Sequence, residues 1–78
     1  MVEDAMASLQ RIIALTAKLG ALPLLGAAKG LLARLLAASG RTDEAREELV
    51  QAIMLFDRSK MTVHLERAKA ELSNFSDI

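Results

Sequence analysis

The chain of 78 residues has no cysteine, no tryptophan and no tyrosine, and it has one proline, one histidine and two phenylalanines. Without cysteine there is no disulfide staple, no thiolate nucleophile and no cysteine zinc site. An excess of one charge is also missing, since ten Lys and Arg balance ten Asp and Glu. No bulk field therefore draws the chain to nucleic acid or anionic lipid. Long apolar runs are absent too. The longest, Leu19–Ala28, is ten residues broken by Gly20, Pro23 and Gly26, whereas a bilayer-spanning helix needs about 20. The opening is acidic (Glu3, Asp4), the reverse of a secretory leader. These absences together predict a soluble, cytoplasmic chain.

What is present is leucine and alanine, fourteen of each, within a chain that is 53% apolar. That composition suits close-packed helices and suits sheets poorly. Apolar residues at Val2, Ala5, Met6, Leu9, Ile12, Ile13 and Thr16 follow the i, i+3, i+4, i+7 spacing of a helix over 2–19. Gly20 suits the left-handed position past its end, and Pro23 suits the first turn of the next helix. A second helix over 22–39 carries Leu25, Ala28, Leu32, Leu35 and Leu36 on one face and stops before Gly40. Thr42 is a candidate cap for a third helix over 42–57, whose stripe is Ala45, Leu49, Ala52, Ile53 and Phe56. With Ser59 as a plausible cap, a fourth helix over 60–74 puts Met61, Leu65, Ala68, Leu72 and Phe75 in phase, and 75–78 is expected to fray. The prediction is one all-α domain over 1–78, built from four helices in antiparallel pairs.

Shifted by 40 positions, the chain matches itself at Ala5/Ala45, Leu9/Leu49, Ile13/Ile53, Leu15/Leu55, Leu25/Leu65, Ala28/Ala68, Lys29/Lys69 and Leu32/Leu72. Most of these matches lie on the apolar stripes. Helix one therefore corresponds to helix three and helix two to helix four, the signature of a stacked array of helix pairs. The segment Ala28–Phe56, AKGLLARLLAASGRTDEAREELVQAIMLF, resembles a tetratricopeptide repeat. Leu32, Ala33 and Leu36 match its first helix, Gly40 its turn, and Ala45, Leu49 and Ala52 the small–large–small pattern of its second helix. Lys29, Thr42 and Asp57 depart from that family's pattern, and the spacing of 40 exceeds the common 34. In this the chain resembles the longer, degenerate repeats at the end of large bacterial multidomain regulators. The resemblance implies a right-handed array with the last helix as a cap, and it raises the reading of the chain as a fragment of such a regulator.

The resemblance also implies a concave groove, whose lining falls here at Ala27, Gly30, Arg34, Ala37 and Ala38. Of these only Arg34 offers an anchor for an acidic group. Gly30 stands where relatives that clamp a C-terminal carboxylate carry one member of a basic–asparagine pair, so the groove suits another helix or a peptide of different chemistry. Gly26 and Gly30, four apart in a helix, permit close backbone approach.

Candidate catalytic and metal-binding residues fall short. His64 has no convergent partner in sequence, and Asp43, Glu44, Glu47 and Glu48 complement the positive end of a helix dipole. No nucleophile–base pair and no ligand set appear, so the expectation is a non-enzymatic chain with no cofactor and no metal. The leading expectation is a protein–protein interaction or scaffolding module. Two helix pairs fall short of the roughly three repeats an array wants, which predicts either a fragment of a longer array or self-association, as a homodimer, through the sparsely charged N-terminal end. Two alternatives are a membrane-surface amphipathic element centred on Leu22–Ala38 and a small-ligand sensor.

Overall fold

The computed structural model describes the backbone of residues 2–76 and the side chains of residues 3–75. Four helices make up the described chain: α1 Val2–Leu19, α2 Leu22–Ala38, α3 Thr42–Arg58 and α4 Thr62–Ser76. The apolar spacing therefore predicts all four helices, with both limits of α1 and the starts of α2 and α3, while the other four limits shift by one or two residues. The side chain of Val2 and the tail residues 77 and 78 lie outside the described residues.

The helices end by one shared device. Past α1, Gly20 sits at φ +71°, its N–H donates to the Ala17 carbonyl, and the Ala21 N–H donates to Thr16. Past α2, Gly40 (φ +79°) donates to Ala37 while Arg41 donates to Leu36. Past α3, Lys60 (φ +58°) donates to Asp57 while Met61 donates to Phe56. Each is a Schellman motif, satisfying carbonyls that the helix end leaves without partners. The three left-handed residues fall 20 apart, so the backbone repeats once per helix. The sequence repeats only every second helix, because Leu9 and Leu49 alternate with Lys29 and Lys69 at equivalent places.

Two expected caps are corrected. Thr42 is the first helical residue, preceded by Arg41, and no side chain caps the helix. Ser59 closes the end of α3 rather than opening α4. The Schellman bonds already fix the entry of each following helix, so no capping hydroxyl is needed. Helix α4 begins at Thr62 instead of 60 because Lys60 takes the left-handed conformation. It extends through Phe75, placed by sequence in the frayed tail, because that ring packs against the core.

The third turn carries a testable strain. A side chain at positive φ costs about 1–2 kcal/mol that glycine avoids. Lys60→Gly is expected to stabilise the fold by about 1 kcal/mol net, raising the thermal midpoint by roughly 4–8 °C. A midpoint unchanged or lowered in a circular dichroism melt would show that the turn holds no such strain.

Helices α2 and α3 share the most extensive interface, with α1 packed on α2 and α4 on α3. One core cluster joins α1, α2 and α3 through Met6, Leu32, Leu36 and Ala45. The other joins α2, α3 and α4 through Ala33, Leu49, Ala52, Phe56 and Ala68. Phe75 packs against both. Small residues set the spacing of the central pair. Ala45 and Ala52 are wholly buried, and a Cβ added at Gly26 would lie 2.9 Å from Cε1 of Phe56. Thr16, grouped by spacing with the apolar stripe, is buried and satisfied locally, its hydroxyl donating to the Ile12 carbonyl at 2.7 Å.

Helix α1 departs from its expected burial. Met6, Leu9, Ile13 and Thr16 turn inward, while Ala5 and Ile12 are exposed. With α2 along one flank only, four of these stripe residues meet a neighbour and two do not.

Candidate groove between helices two and four

The floor of the groove is built from α3, which presents Leu49 and Phe56 between α2 and α4. Ala27, Gly30, Leu31 and Arg34 of α2 form one wall, and His64, Arg67, Ala68 and Glu71 of α4 form the other. The space is about 240 Å³, smaller than the roughly 300–1,000 Å³ of sites that enclose a small molecule. A second cleft of about 270 Å³ continues along the same helices, lined by Ala33, Arg34, Ala37, Glu71, Asn74 and Phe75.

Arg34 and Glu71 border both clefts and meet at 2.6 Å, forming a bar across the groove. The Arg34 side chain is more than half exposed, so the pair adds at most about 1 kcal/mol to the fold. Its chemical consequence is larger. The bond uses one Nη of the guanidinium and offsets its charge, so the groove presents a partly neutralised cation to an incoming carboxylate.

Of the residues expected to line this groove, Ala27, Gly30 and Arg34 come together in the first cleft, and Ala37 joins Arg34 in the second. Ala38 is exposed and borders neither. A Cβ built at Gly30 meets no atom within 4 Å, leaving its backbone open to whatever enters. The α4 wall was absent from the sequence reading, although the shift of 40 carried the signal. Ala27, Ala28 and Leu31 map onto Arg67, Ala68 and Glu71. His64 also belongs to this wall, with its ring 5.3 Å from that of Phe56 at a 44° tilt.

The packing residues hold the walls at their spacing. Leu32, Ala33, Leu36, Ala45, Leu49 and Ala52 are buried, and Gly40 supplies the left-handed turn. Lys29 reaches from α2 to α3, donating to Glu48 at 3.2 Å and to Gln51 at 2.6 Å. Two more carboxylates of the acidic block on α3 are paired locally, three residues apart in sequence. Glu44 accepts from Arg41, and Asp43 lies 3.6 Å from Arg46. The bond to Glu44 raises the already high pKa of Arg41, whose guanidinium also lies 3.9 Å from the Met6 sulfur at the corner between α1 and α3.

Among the described residues no group of three or more His, Cys, Asp or Glu side chains is placed to hold a metal ion. Nor is any helix among them long and apolar enough to cross a membrane. No protein-family model matches the chain, and no curated protein or solved structure matches it.

Proposed function

We propose that this chain is a non-enzymatic protein–protein interaction module of the tetratricopeptide-like kind, self-associating and holding a partner helix or peptide in the groove between α2 and α4. The observation that carries the reading is the groove itself. It is a shallow trough on two helices of the same repeat type, floored by Leu49 and Phe56 and crossed by one internal ion pair. Its floor and half of its lining are apolar, which suits the apolar face of an amphipathic helix, with Arg34, Arg67 and Glu71 at the margins. The trough continues along both helices into the second cleft, which favours an elongated macromolecular partner over the sensor reading.

A lipid-surface role is disfavoured by the same geometry. On α2, Leu25, Leu32 and Leu36 are buried in the core and Lys29 is engaged with α3, which leaves Leu24 and Leu31 as its exposed leucines, too little apolar surface to anchor the helix in lipid. Extracting α2 would dismantle both core clusters.

The test is quantitative affinity capture with the wild type and with Ala27→Glu, a change on an exposed wall position. A partner retained by the wild type and lost by the variant, at equal helicity, supports the groove. A capture profile that is the same for both proteins sinks it.

A further inference from the structure

The geometry points to a specific partner for the open flank of α1: the same flank of a second copy, laid antiparallel about a two-fold axis near Ile12. This rests on the reading of the chain as a self-associating helical-repeat module and names its interface.

The internal repeat identifies the flank. On α3, Ala45 and Ala52 are wholly buried. Forty residues earlier, Ala5 and Ile12 are exposed, and they continue into Leu15 and Leu19, which are 57% and 70% exposed. The flank that is buried on α3 thus has an image on α1 that carries more apolar surface and no cover among the described residues. Single exposed leucines are ordinary, but a stripe along a whole helix marks an interaction surface.

The sequence along that stripe selects the occupant. Ala5 and Ser8 are small and lie near the start of α1, Ile12 is at the centre, and Leu15 and Leu19 are large and lie near the end. Reversed, the pattern complements itself. An antiparallel copy sets its Leu19 over Ala5 and its Leu15 over Ser8, and Ile12 meets its own equivalent. Charge follows the same rule. Glu3 and Asp4 occupy the first turn and Lys18 the last, so each acidic end meets a basic end, and the two helix dipoles oppose. Arg11 is exposed at the rim, where solvent screens it from its copy.

A two-fold contact of this type is self-complementary and closed. At 18 residues α1 is about 27 Å long. Burying one flank of that length covers roughly 800–1,000 Å² in total, below the about 1,200 Å² of stable specific interfaces and within the range of weak, transient ones. An area of that size goes with a weak dimer, formed at tens of micromolar and above.

Sedimentation across about 1 μM to 1 mM tests this. The wild type should rise from the monomer mass of 8.4 kDa toward twice that value. Leu15→Glu should weaken the dimer at least tenfold, whereas Val63→Glu, on an equally exposed position of α4, should leave it unchanged. Because the natural chain has no cysteine, Ile12→Cys should cross-link to a dimer under mild oxidation and Val63→Cys should not. A chain monomeric at 1 mM overturns the inference; if the groove still captures its partner, the repeat-module reading survives without self-association. A dimer insensitive to Leu15→Glu, or Ile12→Cys cross-linking no better than Val63→Cys, overturns the assignment of the face while leaving self-association in place.

Discussion

Leu49→Ala is expected to cost about 3 kcal/mol of folding stability and to lower the thermal midpoint by roughly 10–25 °C. Leu49 is the largest side chain that is fully buried, at 1% exposure. It lies among Ala33, Ala52, Phe56 and Ala68, which belong to three different helices. Alanine neighbours cannot reach into the space that a lost isobutyl group leaves, so relaxation is limited and the cavity term stays large. A domain of this length has only about 4–12 kcal/mol to lose. The adjacent Val50→Ala serves as the control. Val50 is exposed, and its change should stay within about 0.5 kcal/mol. Denaturant titration followed at 222 nm measures both. A Leu49→Ala midpoint within a few degrees of the wild type would show that the groove floor is not part of the core.

The central pair of helices was the most legible part of the sequence. Leu32, Leu36, Ala45, Leu49 and Ala52 follow helical spacing and are buried, because α2 and α3 have neighbours on more than one side. Their periodicity and their burial therefore coincide. On α1 periodicity overstated burial. Ile12 has the spacing of a core residue and is 46% exposed, since spacing reports which residues share a face and not whether another helix covers it. The turns were legible where glycine marked them, at Gly20 and Gly40. The third was placed by the break in the pattern before residue 60, but its left-handed residue was hidden because Lys60 takes that conformation without the residue type that announces it. Arg34 shows the limit at the groove. Its place on the wall follows from the repeat, but its pairing with Glu71, 37 positions away, depends on how α4 crosses α2. No local pattern encodes that.

The same substitution at two repeat-equivalent positions should have opposite consequences. Ala45 is wholly buried in the cluster of Met6, Leu32 and Leu36, where α1, α2 and α3 meet. Ala45→Leu must place three more carbons in that junction, and overpacking a close contact costs about 1–3 kcal/mol. The upper end is expected, because the space is bounded by side chains from all three helices and a shift of one disturbs its contact with the next. Ala5, forty residues earlier on α1, is exposed. Ala5→Leu should change the stability of the dilute monomer by no more than about 0.5 kcal/mol. Paired melts at low micromolar concentration separate the two. Equal destabilisation would mean that α1 is covered as α3 is and that its open flank does not exist. A large loss at Ala45 alone would show that the two halves of the repeat share a sequence pattern while only one of them is closed.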